Sequence, residues 1–270
     1  MWSNKKIWKN RTADPGQDDR SPAKRSQAYF GYEKIPETDK SRKVLAHFDS
    51  VARRYDLMNT ILSFGIHYLW KRVAIKHLAP EPGERILDVC GGTGDLSVAA
   101  LKAVAASGRV FLYDFNRAMI QTGRDKRPHK DLRKKIICIQ GDAEALSFPD
   151  HTFDAVMIGF GIRNLTHMES GFKEIYRVLN TGGRMMCLEF SKPTNPVFRW
   201  LYDIYSLKVM PFLGEVIVGN RKAYTHLPES IRTFPLPGRL AEMIREVGFR
   251  EVRYFNLTNG IACVHLARKK

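Results

Sequence analysis

Polar side chains end three of the apolar runs that the sequence predicts to be buried strands. Arg163 and Asn164 follow the run FDAVMIGFG at residues 153–161, Asp114 ends the run RVFLYD, and Asp142 follows KKIICIQG. The carboxyl ends of parallel strands meet at one edge of a sheet, where open α/β proteins bind their ligands. We therefore expect a guanidinium, an amide and two carboxylates to share one site.

A glycine-rich turn precedes these residues in the chain. The segment ILDVCGGTGDLS, residues 86–97, is typical of a strand, a turn and the start of a helix, which is the context that gives such a turn meaning. Gly92 and Gly94 let the backbone approach a ligand closely, and Thr93 offers a hydroxyl. The turn is a predicted cofactor site.

Two acids strengthen this interpretation. Asp114 lies about 20 residues after the glycines, where a carboxylate can accept hydrogen bonds from both hydroxyls of a ribose. Asp142 and the amide of Ala143 are placed to face the edge of an adenine. Either acid alone could merely cap a helix, but the whole set at one sheet edge favours a bound nucleoside.

The pattern also distinguishes two nucleoside cofactors. A dinucleotide fingerprint needs glycine or alanine three positions after Gly94, where this chain has Ser97. Asp88, at the end of the first strand, can instead lie beside the cationic amino-acid portion of S-adenosylmethionine. We expect that cofactor and no metal, because the four cysteines and eight histidines are scattered and no HExxH motif occurs.

Alternating strands and helices must position these residues. Between residues 85 and 190 the sequence predicts five strands with helices between them, which favours a parallel sheet covered on both faces. The last two strands, EVRYFNL and IACVHLARK, are joined by the tight turn TNG and must be antiparallel neighbours. A Rossmann-like seven-stranded sheet with an antiparallel C-terminal hairpin is typical of class I S-adenosylmethionine-dependent methyltransferases.

We divide the chain into three parts. Residues 1–40 are expected to form a flexible basic N-terminal tail, and residues 41–80 an N-terminal helical segment. Residues 81–270 form the methyltransferase domain, with a helical insert near 195–232. The aromatic part of that insert, at 197–219, either packs on the core or forms a lid over an apolar substrate.

The chain is strongly basic. Its 270 residues carry a formal net charge of +16, with a pI near 9.8. Such a charge favours an anionic partner, either nucleic acid or an anionic membrane surface. No apolar run approaches the ~20 residues that a membrane-spanning helix needs. The cysteines lie far apart in apolar stretches, as thiols of a reducing compartment do.

Several segments of the chain resemble one family. VARRYDLMNTILSFGIHYLWKR, GDAEALSFPDHTFDAV, FGIRNLTHMESGFKEIYRVL, GGRMMCLEFSKP, ESIRTFP and NLTNGIACVH are similar to segments of the ubiquinone/menaquinone biosynthesis C-methyltransferases. In that family, cofactor is bound by the residues that match Thr93, Asp114, Asp142 and Ala143. A serine commonly follows the isoleucine of the fourth strand, and this chain has Gly159 there, so a hydroxyl contact is missing or replaced.

The resemblance implies transfer of a methyl group from S-adenosylmethionine to a ring carbon of a polyprenylated quinol. The substrate would be 2-methoxy-6-polyprenyl-1,4-benzoquinol or demethylmenaquinol, and YFGYEKIP, FGIRN and FLGEVIVG look more like the ubiquinone branch. Arg163 stays cationic and could hold a quinol phenolate, while Asn164 can bond a quinol oxygen. Tyr55, in the motif YDLMN, is a third candidate catalytic residue. Alternatively, Arg163 pairs with a neighbouring acid and ties its loop down.

The expected partners follow from the resemblance and the charge. They are the polyprenyl quinol, an anionic membrane surface, and either a second copy of the chain or a quinone-biosynthesis complex. We expect peripheral attachment to the inner face of a membrane, from the cytoplasm or the mitochondrial matrix. Two alternatives remain open: a methyltransferase for another apolar small molecule, such as a sterol or an aromatic acid, and a nucleic-acid-binding protein that retains the fold. No specific nucleic acid is expected, because aromatic–basic stacking motifs are absent.

Overall fold

The computed structural model describes residues 26–104, 107–126 and 129–270. Its N-terminal part is a hairpin followed by three helices, with the bounds β1 Gln27–Phe30, β2 Glu33–Pro36, α1 Glu37–Val51, α2 Tyr55–Leu62 and α3 Ile66–Leu78. Gly65 has a φ of 76° and separates α2 from α3. The N-terminal segment is therefore helical from residue 37 onwards.

The hairpin corrects the predicted extent of the N-terminal tail. Ala28 and Ile35 face each other across it and both are buried. The ring of Phe30 stacks on that of His226, with centroids 3.8 Å apart. Residues 27–40 are folded because the hairpin packs on a helix almost 200 residues later, which local composition does not indicate. Residues 1–25, the rest of the predicted tail, lie outside the described residues.

Alternating strands and helices follow and form most of the central sheet. Their bounds are β3 Arg85–Val89, α4 Asp95–Ala103, β4 Arg109–Asp114, α5 Arg117–Asp125, α6 Lys130–Lys134, β5 Ile137–Gln140, β6 Phe153–Gly159, α7 Met168–Val178 and β7 Leu179–Phe190. Each strand pairs in parallel with its neighbour, and β3 lies between β4 and β6. The carboxyl ends of β3, β4, β5 and β6 consequently meet at one edge, as the site requires.

A helical insert separates this part from the C-terminal hairpin. It consists of α8 Pro196–Ile204, a π-helical turn at Tyr205–Val209, α9 Met210–Val218 and α10 Arg221–Thr233. Met210 and Tyr224 of the insert join Met58 and Leu62 of α2 in one buried apolar cluster. The Tyr205 hydroxyl also donates to the Leu62 carbonyl at 2.9 Å. The insert therefore packs on the N-terminal helices rather than on the faces of the sheet.

The C-terminal elements complete the sheet. After α11 Pro237–Glu246, strands β8 Arg250–Leu257 and β9 Ala262–Arg268 are antiparallel to each other, and β9 is antiparallel to β7. The strand order is β5-β4-β3-β6-β7-β9-β8. The structure thus confirms the predicted seven-stranded sheet with its antiparallel C-terminal hairpin.

Both faces of the sheet are covered, which keeps the strands rigid beneath the site. Leu87 of β3 points to the face that α7 and α11 cover, and Ile86 points to the face that α3 and α4 cover. The strands are accordingly almost continuous apolar runs rather than alternating ones. Burying a large side chain such as Leu87 contributes about 1.5–3 kcal/mol to folding.

Candidate active site

Two cavities lie side by side at the carboxyl edge of the sheet. One, of about 350 Å³, has many aromatic rings in its lining, including Trp70, Phe160, Phe190, Phe198, Tyr202 and Tyr205; we call it the aromatic cavity. The other, of about 390 Å³, holds Asp114, Asp142 and Ala143; we call it the carboxylate cavity. They share a wall made of Phe48, Tyr55, Cys90, Gly92, Gly159, Phe160 and Asn164. The two cavities therefore adjoin, and ligands bound in them would be neighbours.

Two backbone amides hold the Asp114 carboxylate in place, one from the glycine turn and one from just beyond its own strand. Its Oδ2 accepts from the Gly92 amide at 2.8 Å, and its Oδ1 accepts from the Asn116 amide at 2.7 Å. Burial raises the pKa of Asp114 to about 6, although both hydrogen bonds oppose the rise. Gly92 has a φ of 54°, which lets the turn bring its N–H onto the carboxylate.

Asp142 and Ala143 lie beside Asp114, because β4 and β5 pair in register just before them. Asp114 is opposite Gln140, two residues before Asp142. The Asp142 Oδ1 accepts from the Glu144 amide at 2.9 Å, which orients the carboxylate at the end of the strand. Ala143 is buried in the wall of the carboxylate cavity.

Asp88 is a buried carboxylate with one unsatisfied oxygen. Its Oδ2 accepts from the Ser97 hydroxyl at 2.6 Å, whereas Oδ1 is buried and has no hydrogen-bond partner among the described residues. Burial raises the pKa of Asp88 to about 7. An unpaired buried carboxylate oxygen is costly, so this position in the wall of the aromatic cavity suits a cationic ligand group.

Thr93 makes structural contacts that the sequence did not reveal, and Gly94 has a structural role at the start of α4. The Thr93 hydroxyl donates to Asp56 Oδ1 at 2.9 Å and accepts from Lys126 Nζ at 2.7 Å. Lys126 and Asp56 are themselves an ion pair at 2.5 Å, so the turn is tied to α2. Thr93 still lines the aromatic cavity, but Gly94 lines neither cavity; its φ of 77° begins α4.

Arg163 forms a buried ion pair. Its Nη1 donates to Glu189 Oε1 at 2.6 Å and to the Phe160 carbonyl at 2.7 Å, and both charged side chains are almost fully buried. Burial raises the pKa of Glu189, and Arg163 opposes that rise. The Arg163 Nε is buried without a partner among the described residues. The structure therefore shows the alternative of pairing with an acid, and it also places Arg163 in the wall of the aromatic cavity.

Tyr55 and Asn164 both belong to the shared wall. Burial raises the pKa of the Tyr55 hydroxyl, and the neighbouring charge of Arg163 opposes the rise. Asn164 follows a short turn in which Phe160 has a φ of 57°, a conformation that is rare for a bulky residue. That turn directs Arg163 and Asn164 back over the strand end. The three predicted catalytic residues are thus brought together around the aromatic cavity.

Three further residues at this site were missed by sequence reasoning. The only sequence signal for Glu189 is its position as an acid within the apolar run RMMCLEF. His47 and His226 also line the aromatic cavity, with ring centroids 5.0 Å apart. Burial, together with the charge of Arg163, lowers the pKa of His47 to about 4; burial, with smaller contributions from His47 and Arg163, lowers the pKa of His226 to about 3. Both imidazoles are therefore neutral at pH 7, and no local sequence signal pairs them.

Gly159 marks the departure from the serine expected at that position. A Cβ atom added to Gly159 would overlap Cδ1 of Leu96. The leucine of the segment GDLS therefore occupies the place where a serine side chain would begin. The hydroxyl contact is absent, and an apolar group stands in its position.

Residues 37–269 match the model of the ubiE/COQ5 methyltransferase family. The chain is 44% identical over 245 residues to the ubiquinone/menaquinone biosynthesis C-methyltransferase UbiE of Cupriavidus metallidurans, which covers 90% of this chain and 99% of the relative. It is 46% identical over 237 residues to UbiE of Pseudomonas fluorescens, which covers 88% and 93%. A SAM dependent methyltransferase from Aquifex aeolicus has a similar structure, with a TM-score of 0.55 at 18% identity over 73% of this chain and 88% of that one. The predicted fold class is confirmed.

Proposed function

The chain belongs to the ubiE/COQ5 methyltransferase family, and we propose that it methylates a ring carbon of a polyprenylated quinol with S-adenosylmethionine as the donor. The family resemblance of the sequence favours 2-methoxy-6-polyprenyl-1,4-benzoquinol or demethylmenaquinol as the quinol, and the relatives are named for ubiquinone/menaquinone biosynthesis. The observation that carries the proposal is the shared wall between a carboxylate cavity and an aromatic cavity. A methyl transfer needs a donor and an acceptor in direct contact, which two separate pockets would not provide.

The residues of the carboxylate cavity fit the cofactor. Asp114 would accept hydrogen bonds from the ribose hydroxyls, and Asp142 with the Ala143 amide would face the adenine. The unpaired Oδ1 of Asp88 lies where the cationic amino-acid end would reach the aromatic cavity. Bound S-adenosylmethionine supplies an activated methyl group on a sulfonium. The residues of the chain must then bind the donor and the acceptor, align the methyl group with the ring carbon, and exclude water.

The residues of the aromatic cavity fit a quinol ring. A quinol carbon becomes nucleophilic when one of its hydroxyls loses its proton, because the phenolate donates electron density to the ring. Arg163 is cationic and faces this cavity, and its Nε has no partner among the described residues, so it can donate to a phenolate oxygen. Asn164 can bond a quinol oxygen from the shared wall, and Tyr55 can orient the ring there. The rings that line the rest of the cavity suit the apolar head and the first part of the tail.

The basic charge fits a substrate that is dissolved in a membrane. None of the helices in the described ranges is long and apolar enough to cross a bilayer. The formal net charge of +16 would attract the chain to anionic headgroups. Peripheral attachment to the inner membrane surface therefore forms part of the proposal. A second copy of the chain or a quinone-biosynthesis complex remains a predicted partner.

The test is to identify the methylated product. Purified protein is incubated with S-adenosylmethionine labelled in its methyl group and with a reduced total lipid extract, and the labelled lipid is identified by mass spectrometry. We expect label on the ring of a polyprenyl quinol. Label on a sterol or an aromatic acid, or salt-sensitive RNA binding without any labelled lipid, would overturn the proposal and support one of the two alternatives.

A further inference from the structure

One side of the insert exposes an unusual set of large apolar side chains. We define the apolar patch as Phe64, Trp200, Leu201, Ile204, Phe212 and Val216. Phe64 is 78% exposed, Val216 66% and Trp200 63%. Single exposed apolar residues are ordinary, but five on one helical unit, with Phe64 of the α2–α3 turn beside them, indicate a surface that meets an apolar partner.

The π-helical turn at Tyr205–Val209 brings these residues onto one face. In a regular α-helix, twelve residues from Trp200 to Phe212 would leave the two side chains about 120° apart. One extra residue in a turn sets the following helix back by about 100°. Phe212 and Val216 consequently return to the face that carries Trp200 and Ile204, so α8 and α9 expose one continuous apolar side.

The aromatic cavity opens within this patch. Phe64, Ile66 and Leu201 all line the cavity, and all three are exposed at the surface, with Leu201 51% exposed. The ring of Phe64 also lies 5.8 Å from that of Tyr205, another lining residue. A cavity whose rim is also the exposed apolar surface is open to whatever covers that surface.

The charges around the patch favour an anionic partner. Arg199 and Lys208 are exposed on the same helical unit. The two acids of this unit are paired, Glu215 with Arg221 at 2.7 Å and Asp203 with Arg232, so they do not offset these cations. Apolar rings with a basic surround match the interfacial region of an anionic bilayer, where tryptophan is favoured and basic side chains reach the headgroups.

We propose that the apolar patch inserts into the headgroup region of an anionic lipid bilayer, and that the substrate enters the aromatic cavity directly from the bilayer between Phe64, Ile66 and Leu201. The route for the substrate rests on the proposed methylation of a quinol, whereas the docking surface assigns residues to the proposed peripheral attachment and can be tested without any reaction. The tail of a prenylated lipid would remain in the bilayer while its ring passes the rim. No step through water is then required for a molecule that is insoluble in it.

Vesicle flotation tests the docking surface. The probes are vesicles of phosphatidylcholine alone and of phosphatidylcholine with phosphatidylglycerol in a ratio of about 3:1. The double variant Trp200→Ser/Phe212→Ser removes two patch residues that do not line the cavity. The matched control is Leu236→Ser/Tyr254→Ser, which removes two exposed apolar side chains outside the patch. We expect the wild type to bind the anionic vesicles, the patch variant to bind them at least tenfold more weakly, and the control to bind as the wild type does.

A second pair of variants tests the charge. Lys208→Ser should weaken binding to anionic vesicles a few fold and make that binding less sensitive to salt, whereas Lys76→Ser, at the far end of α3, should leave both unchanged. Vesicle binding by the patch variant at wild-type strength would overturn the docking surface. A wild type that is a dimer by light scattering, a patch variant that is a monomer, and no vesicle binding by either would identify the patch as an interface between two copies instead.

Two methylation assays separate the docking surface from the reaction. One uses a quinol with a single prenyl unit in solution, and the other a long-tailed quinol embedded in vesicles. The patch variant should keep the first activity and lose at least tenfold of the second. If the wild type methylates neither quinol while the patch variant still loses vesicle binding, the proposed function fails and the docking surface stands.

Discussion

The two cavities share a wall but differ in the elements that complete them. In the carboxylate cavity, backbone amides at the sheet edge hold the acids: Asp114 is held by Gly92, which follows β3, and by Asn116, and Asp142 is held by Glu144. Residues of α1 also line this cavity. The aromatic cavity combines the N-terminal helices, the ends of β3, β6 and β7, and the insert. The acids of the donor side therefore belong to the sheet edge, whereas the acceptor side also depends on the insert.

This difference predicts that changes at the acceptor side affect turnover most. The double variant Arg163→Gln/Glu189→Gln removes both charges of the buried pair without leaving one unpaired. We expect kcat to fall about 100–1000-fold, the loss typical for a group that stabilises a developing oxyanion. Cofactor affinity, measured by calorimetry, should stay within about threefold of the wild type.

Glu189→Gln alone is the matched control, because it keeps the arginine. It should lose less kcat than the double variant. Arg163→Ala alone leaves a buried carboxylate without its partner and should lower the free energy of unfolding by about 3–5 kcal/mol, seen as a fall in Tm. A double variant that loses cofactor affinity and kcat to the same extent would contradict the separation of the two sides.

At the donor side, Asp114→Ala should weaken S-adenosylmethionine binding by roughly 30–100-fold, since it removes the carboxylate and also frees the amides of Gly92 and Asn116. Calorimetry measures the dissociation constant, and Asp131→Ala, an exposed acid on α6, is the control. Unchanged affinity in Asp114→Ala would show that the carboxylate only shapes the turn.

The pH dependence of cofactor binding should test the two buried carboxyls that we assign to the cofactor. The raised pKa values of Asp88, about 7, and Asp114, about 6, mean that both carboxyls gain protons as the pH falls through this range. A cationic ligand favours the ionised forms, so affinity should fall by about tenfold between pH 7.5 and pH 6, and binding near pH 6.5 should release protons. Asp88→Asn should remove most of this dependence. A flat profile in the wild type would mean that Asp88 does not face the cationic group.

The smallest effect is expected at the shared wall. Gly159→Ser should lower the free energy of unfolding by about 1 kcal/mol, because Leu96 must move to admit the new Cβ. Cofactor affinity should change less than threefold. Adding Leu96→Ala, which removes the overlapping atoms, provides the control: it should relieve the overlap and let the serine hydroxyl reach the cavity. A large loss of cofactor affinity in Gly159→Ser would show that Leu96 positions the donor.

The same contrast explains what the sequence could and could not predict. The placement of Asp114 and Asp142 at the sheet edge could be predicted because strand ends and a glycine turn are local patterns, and the parallel sheet follows from the alternation of strands and helices. Thr93 was predicted to contact a ligand, but its hydroxyl is bonded to Asp56 and Lys126, which are more than 30 residues away in either direction. Contacts between residues so far apart in the chain leave no local sequence pattern.

The acceptor side was less predictable for the same reason. Arg163 attracted notice as a cation at a buried strand end, yet its partner Glu189 belongs to the next strand of the sheet. His47 and His226 meet only because the hairpin and α1 pack against α10. The hairpin itself was taken for tail, since the surface that buries Ile35 comes from distant helices.

The shared wall has a further consequence, which concerns the order and coupling of binding. Phe48, Tyr55 and Phe160 face both cavities, so a ring that moves to fit one ligand is presented in its new position to the other. Any factor by which the first ligand changes the affinity of the second must apply equally in reverse. Binding of the donor and binding of the acceptor should therefore be cooperative. After methyl transfer, the rings of the shared wall should already be in positions that fit the demethylated cofactor and the product.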